Sequence, residues 1–388
     1  MVGLNVVSAA LSADPRTAAV PVRYLGKREA LAAAVHEVAA GGALPLVGWS
    51  FYSTDFAATA DDLAFVRAET AGLPALHVAG GVHASAEPLA TLRAGFDLCA
   101  IGEGEATLIA IARTLAEGCD PRTLPGTASL DASGALVSHG PAERRPLDDF
   151  PAFDEPRRKF NAIEITRGCV YACSFCQTPF LFKARFRHRS VENVRAHVAA
   201  LRRAGLVYVR FVTPTSLSYG SDGEAPDLDA VEALLAACRE AFGPEGKIYF
   251  GTFPSEVRPE HVTEASLAVL RRWVDNDNLV IGGQSGSLRV LEQTKRGHTV
   301  DDVRRAVRLS VAAGFLPNVD LLLGLPGETP EDRRASLSLA DELVAMGARI
   351  HSHAFMPLPG TPLRDAEPVP IEPETALAMA RLESRGAM

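Results

Sequence analysis

The chain alternates short apolar runs with stretches of helical periodicity, in two separate passes, and that alternation limits its fold more than any other feature. In the first pass, residues 19–118, "VPVRYL" precedes "REALAAAVHEVAAGG" and "ALPLVGWSF" precedes "ATADDLAFVRAETAG". Then "PALHVAGG" precedes "SAEPLATLRAG", and "FDLCAIG" precedes "EGEATLIAIARTLAEG". Strands alternating with helices of this length predict right-handed βαβ units and a parallel sheet. In the second pass, residues 161–366, the candidate strands are "NAIEIT", "LVYVRFV", "KIYFGT", "NLVIGG", "NVDLLLG" and "ARIHSHAF". Amphipathic helices such as "SVENVRAHVAALRRAG" and "PEDRRASLSLADELVAMG" separate them. Six units instead of eight predict an open, partial (β/α)6 barrel. Residues 119–160 are rich in Pro, Gly and Asp and predict a linker with a hairpin around "SLDASGALVS". Residues 367–388 form an acidic, helix-prone tail. The fold class is therefore α/β, in two domains, 1–118 and 161–366.

A chain of 388 residues exceeds the usual single-domain size. Its net charge of −8 argues against general nucleic-acid binding, whose footprint is basic. The local basic run "KARFRHRS" (183–190) reads as a solvated loop. No apolar stretch is long enough to span a bilayer, and the N-terminus lacks the basic start of a secretory signal. A cytoplasmic, reducing setting is expected, where clustered cysteines are metal ligands or catalytic groups. The scattered Cys99, Cys119 and Cys238 read as small core or surface residues.

The other three of the six cysteines, Cys169, Cys173 and Cys176, fall within "RGCVYACSFCQTP" (167–179), after the first strand of the second pass. Strand-to-helix loops of barrel-like α/β folds build active sites. Three thiols leave a four-ligand centre one short. A zinc site would need a fourth ligand, and His188 is the only local candidate. An iron–sulfur cluster held by three cysteines would keep its fourth iron open for a cofactor or substrate.

CxxxCxxC with Phe175 before the last cysteine, on the first loop of a six-unit βα fold, resembles the radical S-adenosylmethionine superfamily. That resemblance implies a 4Fe–4S cluster on Cys169, Cys173 and Cys176. The cluster's unique iron would chelate S-adenosylmethionine and reductively cleave it to a 5′-deoxyadenosyl radical. It also implies an electron donor such as flavodoxin or ferredoxin. "GGQSGSLRVLEQTKRGHT" (282–299), "VDLLLGLPGETPED" (319–332) and "MPLPGTPL" are similar to the subset that includes the tRNA methylthiotransferases. By that analogy Gln284 and Ser285 would bond the cofactor's ribose or carboxylate, and Leu323, Gly324 and Leu325 would lie along its adenine. Ser255 and Glu256, in "GTFPSEV", would contact ribose or the methionyl group. The superfamily's Gly-Gly-Glu after strand two is replaced by "RFVTPTSLSYG", where Thr213 or Thr215 would substitute.

Methylthiotransferases carry three further upstream cysteines and a small RNA-binding domain. Here the upstream region offers only Cys99 and Cys119, which weighs against that activity. The first pass instead resembles the Rossmann-like cobalamin-binding domain found ahead of many radical enzymes, through "LVGWSFYSTDF", "AGGVHAS" and "FDLCAIGEGEATL". The positions this marks are Ser50, Tyr52, Thr54, Gly80, Gly81, His83, Gly102 and Glu103. The Asp-x-His-x-x-Gly that gives cobalt a histidine is absent, so cobalamin would bind without one. Methyl transfer would require both candidate rims to face one cavity, with Trp49, Phe51 and Tyr52 lining the corrin side. The expected activity is cobalamin-dependent methylation of an unactivated carbon or another weakly nucleophilic centre, in a small molecule or peptide in preference to RNA. A non-methylating rearrangement or cyclisation, or a methylthiotransferase-like activity, is the first alternative, and a non-catalytic cluster or cobalamin carrier the second.

Overall fold

A computed structural model, describing residues 2–384 and 386–387, divides the chain into two units, Met1–Asn161 and Ala162–Met388. In the first unit, helices α1 (Val2–Ala13) and α2 (Arg28–Ala40) precede strand β1 (Leu46–Ser50). Helix α3 (Phe56–Glu69), strand β2 (Leu76–Gly80), helices α4 (Val82–Ala86) and α5 (Pro88–Arg93), strand β3 (Leu98–Ala100) and helix α6 (Gly104–Ala116) follow. Strands β1, β2 and β3 are parallel neighbours. Burial on both faces explains why β2 reads as a continuous apolar run. Phe51, Leu63, Leu92, Phe96 and Cys99 fill the core on one side of the sheet, with Phe51 and Phe96 stacked at 5.7 Å. Each such aromatic or leucine contributes about 1.5–3 kcal/mol by leaving water.

Two expectations for this unit change. "VPVRYL" joins no sheet: Pro21 has no N–H to give a ladder, and none of the six residues is fully buried. The 119–160 segment contributes strands β4 (Thr127–Leu130) and β5 (Leu136–Ser138), which extend the sheet antiparallel in the order β1-β2-β3-β4-β5. Their hairpin turns where Asp131 Oδ1 accepts the Ser133 and Ala135 amides and Gly134 takes φ +78°.

In the second unit the first strand is broken into β6 (Ile163–Glu164) and β7 (Thr166–Arg167). After the cysteine loop and the single turn α7 (Thr178–Leu181) come β8 (Arg187–His188), α8 (Val191–Arg203), β9 (Tyr208–Val212), α9 (Leu228–Phe242) and β10 (Lys247–Tyr249). Then follow α10 (Glu264–Trp273), β11 (Asn278–Gln284), α11 (Leu288–Gln293), α12 (Val300–Ala312), β12 (Leu316–Leu323), α13 (Pro330–Ala345), β13 (Arg349–Ala354) and α14 (Pro373–Ser384). Six of these strands form two parallel three-stranded sheets, β10-β9-β6 and β11-β12-β13, and Val257, in the loop after β10, makes an isolated parallel bridge to Ile281 of β11. The six barrel strands are thus those legible as apolar runs, and no closed barrel forms among the described residues.

Side chains cap the helices where sequence chemistry places them. Ser190 accepts the Asn193 amide at α8 and Asp227 the Ala230 amide at α9. Capping boxes pair Thr263 with Ser266, Thr299 with Asp302 and Thr329 with Asp332. No helix among the described residues is long and apolar enough to cross a membrane.

Candidate functional site

The cysteine loop is a ring closed by backbone. Antiparallel pairing of β7 with β8 sets Thr166 against His188 and Arg167 against Arg187, so residues 168–186 leave and return at one point. Gly168 makes the closure possible: it sits at φ +82°, and a Cβ there would lie 2.1 Å from the Arg185 carbonyl oxygen. Ser174 ties the ring to the rest of the unit by donating its amide to the Thr294 carbonyl at 3.0 Å. All three thiols are free and pack together with Tyr171, Phe175 and Phe186. Burial pushes the Cys169 thiol up to about 12 and raises that of Cys176. No three His, Cys, Asp or Glu among the described residues are set to hold one metal ion. A cluster asks less of the geometry, since each cysteine takes a different iron. His188 is committed elsewhere: Nδ1 bonds Thr166 Oγ1 and Nε2 bonds the Ser221 carbonyl, each at 2.9 Å. The loop therefore offers three soft ligands and no fourth, a donor set that fits a cluster with one open iron.

The basic run beside it is not simply solvated. Lys183 and Arg185 are exposed, but Arg189 is fully buried and donates to the Glu164 carbonyl and to Asn193 Oδ1.

A buried charge network abuts Cys173. Arg296 directs Nη1 to Cys173 Sγ at 3.6 Å and Nη2 to the Gly282 carbonyl at 2.8 Å and to Glu256 Oε1 at 3.4 Å. Burial works against the Arg296 charge, but Glu256 and Cys173 outweigh it and keep the guanidinium protonated. Burial likewise pushes the Glu256 carboxyl up, against the pull of Arg296. Gly282 is where the heads converge: a Cβ there would lie 2.3 Å from Arg296 Nη2, 2.8 Å from Glu256 Oε2 and 3.0 Å from Gln284 Nε2. Behind this sits Arg258, stacked 3.5 Å over the Tyr171 ring and bonded to Glu260 and to the Arg296 carbonyl. His298 donates its Nε2–H to the Gly283 carbonyl at 3.1 Å, and burial lowers its pKa to about 4.

Two of the positions marked for S-adenosylmethionine, Glu256 and Gln284, thus meet beside Cys173. Gln284 is held at φ +67°, a conformation uncommon outside glycine, where β11 breaks register with β12. Phe175 and Leu325 share a second apolar cluster with Val290 and Phe355. Leu323 is buried at the end of β12, and Gly324 follows it at φ +78°. Ser255 Oγ is bonded to Ser216 Oγ and to the Thr252 carbonyl, and Thr213 Oγ1 to the Thr215 carbonyl. Ser285 is fully buried, its hydroxyl shared with Ser336 of α13 and the Ser287 amide. Where Gly-Gly-Glu is missing, Thr215 Oγ1 and Ser218 Oγ are buried without a partner, as a polar ligand would require.

In the first unit the marked residues line the carboxyl ends of β1, β2 and β3. Gly81, at φ +94°, has Ser50 Oγ 3.3 Å from its Cβ position. His83 is buried, stacked at 4.3 Å on Phe56, with Nδ1 3.0 Å from Ser53 Oγ and Nε2 left without a partner. Gly102 donates its amide to Ser85 Oγ at 2.9 Å, beside Glu103, whose carboxylate lies 3.7 Å from Arg144. Thr54 is exposed and Tyr52 is 68% exposed, so neither packs into the core. Glycines that admit close backbone approach, exposed hydroxyls and one orphaned imidazole nitrogen fit a large polar-edged cofactor.

Sequence reading missed Arg296, Arg258 and His298, although "KRGHT" carries two of them. It also missed Asp320, whose Oδ1 lies 3.2 Å from His351 Nδ1 on the neighbouring strand.

The family model described as Radical SAM superfamily matches residues 163–340. The tRNA-2-methylthio-N(6)-dimethylallyladenosine synthase of Methylococcus capsulatus is 30% identical over 283 residues, 67% of this chain and 58% of that protein. The chain spans about half the length of the methylthiotransferases it matches. Among solved structures, the radical S-adenosylmethionine methyltransferase TsrM from Kitasatospora setae, with cobalamin and a 4Fe–4S cluster bound, superposes with TM-score 0.67. It is 22% identical, covering 87% of this chain and 66% of that one. The cobalamin-dependent S-adenosylmethionine radical enzyme OxsB, with aqua-cobalamin bound, gives 0.66 at 18% identity, covering 99% of this chain and 53% of that one. The chain has the fold of these enzymes, and its residues 163–340 are a domain of the Radical SAM superfamily.

Proposed function

We propose that the protein is a cobalamin-dependent radical S-adenosylmethionine methyltransferase acting on an unactivated carbon or another weakly nucleophilic centre. The observation that carries this is the ring of three thiols with no fourth protein ligand among the described residues, His188 being bonded on both nitrogens. Cys169, Cys173 and Cys176 would hold the cluster. Phe175, Thr213, Ser255, Glu256, Gln284, Ser285, Leu323, Gly324 and Leu325 would surround S-adenosylmethionine. Ser50, Tyr52, Thr54, Gly80, Gly81, His83, Gly102 and Glu103 would border cobalamin. When bound, the cluster supplies one electron that opens the sulfonium of S-adenosylmethionine, and cobalamin supplies a carrier for a methyl group.

The chain's own residues prepare the place. Arg296 sets a fixed positive charge beside Cys173, offsetting thiolate charge in a region with little water to do so. Gly282 lets Glu256, Gln284 and Arg296 crowd one point, a polar nest matched to the amino and carboxylate groups of an amino-acid ligand. The leucines and Phe175 present an apolar wall suited to a purine and exclude water from a reactive species. A small molecule or peptide is the substrate class proposed, with flavodoxin or ferredoxin as electron donor. A tRNA substrate is the second reading, favoured by the 30% identity to tRNA methylthiotransferases.

The test is anaerobic incubation of the iron-loaded protein with methyl-labelled S-adenosylmethionine, cobalamin and a reductant, followed by mass spectrometry. Label in cobalamin, together with 5′-deoxyadenosine, is the expected result. An iron-loaded protein that forms neither product overturns the proposal, and a methylthio product on tRNA would favour the second reading.

A further inference from the structure

The C-terminal segment 367–372 crosses the loop that follows β12. Val369 donates its amide to the Gly324 carbonyl at 2.9 Å. A Cβ on Gly324 would lie 2.7 Å from the Val369 carbonyl oxygen, so the two backbones approach as closely as only glycine permits. The Gly324 amide donates to Glu328 Oε2 at 2.8 Å. Glu328 is enclosed, and Arg333 Nη1 lies 3.8 Å from that carboxylate. Arg333 Nη2 then reaches out to Glu372 at 2.8 Å. Segment 367–372 therefore grips the loop twice, through backbone at Val369 and through the chain Glu372–Arg333–Glu328–Gly324.

An exposed ion pair such as Arg333–Glu372 adds little by itself. Here its inner partner is buried: Arg333 and Glu328 are almost wholly shielded and held together by charge at 3.8 Å, and Glu328 Oε1, Arg333 Nε and Nη1 have no hydrogen-bond partner. With few alternative contacts, the geometry of Glu328 and hence of the Gly324 amide depends on where Arg333 is drawn. We infer that segment 367–372 is a positioning strap that sets residues 323–325 for the adenosine half of S-adenosylmethionine, with Glu328, Arg333 and Glu372 acting through the loop and touching no ligand. This rests on the placement of S-adenosylmethionine in the second unit proposed above.

The probe is S-adenosylhomocysteine, which cannot be cleaved to a radical, titrated calorimetrically into the iron-loaded full chain. Val369→Pro removes the donated amide, and Glu372→Ala removes the outer carboxylate. Each should weaken binding by about threefold to tenfold. Each should also speed hydrogen exchange at the Gly324 amide, with iron content unchanged. Glu374→Ala, exposed on α14, should change neither. Wild-type binding matched by both variants overturns the strap and leaves the functional proposal standing, as does an equal loss in Glu374→Ala. Absence of binding by the wild type overturns the S-adenosylmethionine site, and the strap falls with it.

Discussion

Acidification should unlock the first unit at one histidine. His77 lies on β2, 1% exposed, and Trp49 donates its indole N–H to His77 Nδ1 at 3.2 Å. Indole can only donate, so that nitrogen must be an unprotonated acceptor. Burial, reinforced by Arg67 and opposed by Asp97, lowers His77 from 6.5 to about 4. A depressed histidine costs nothing above its unfolded value. It destabilises the folded state as pH falls below that value, the penalty growing until the folded value is reached. At about pH 5 this one residue should remove about 2 kcal/mol, and at still lower pH about 3 kcal/mol. Urea unfolding followed by Trp49 fluorescence, in a Trp273→Phe background, measures it. His77→Gln keeps an acceptor for Trp49 but cannot titrate. Its loss of stability between about pH 7.5 and about pH 5 should be smaller than that of the parent by about 2 kcal/mol. His83, also lowered by burial, titrates equally in both proteins and cancels. Equal losses in the two proteins would refute the acceptor role of His77.

Alanine at Cys169, Cys173 or Cys176 should abolish iron retention after anaerobic reconstitution, whereas alanine at Cys99, Cys119 or Cys238 should leave it intact by colorimetric iron assay. Gly168→Ala should also abolish iron retention although no ligand is changed, because the new methyl would meet the Arg185 carbonyl 2.1 Å away and left-handed backbone adds about 1–2 kcal/mol; full iron content in this variant would show that the ring can open harmlessly. Electron paramagnetic resonance of the cob(II)alamin form should show no axial nitrogen splitting, since no Asp-x-His-x-x-Gly is present; a resolved nitrogen triplet would count against it.

The barrel strands were legible because each is an apolar run that ends at glycine or a polar turn. The cysteine loop was legible because three soft ligands are packed into eight positions. "VPVRYL" misled because periodicity does not register that Pro21 withholds a ladder donor. The Arg296 nest was not legible for a different reason. Arg296 meets Glu256 from 40 positions away and Cys173 from 123, so local pattern holds no trace of the convergence. Arg189 in "KARFRHRS" was hidden likewise, since a basic run looks solvated until the fold wraps one member against the Glu164 carbonyl. Gln284 was marked by its motif, but its left-handed backbone gave no signal, because that is imposed by the register break in β11 and not by residue type.

The closed ring around Cys169, Cys173 and Cys176 bears on how such a protein matures. Its ends are joined by the β7–β8 pair and by His188, none of which uses a thiol. Most of the entropy of gathering a loop of this length is spent when its ends meet. Folding can therefore complete that step before any iron arrives, and a scaffold delivering a preassembled cluster meets a seat already formed. Were the proposed cluster lost to oxygen, the same closed ring would leave a chain that can be reloaded without passing through the unfolded state.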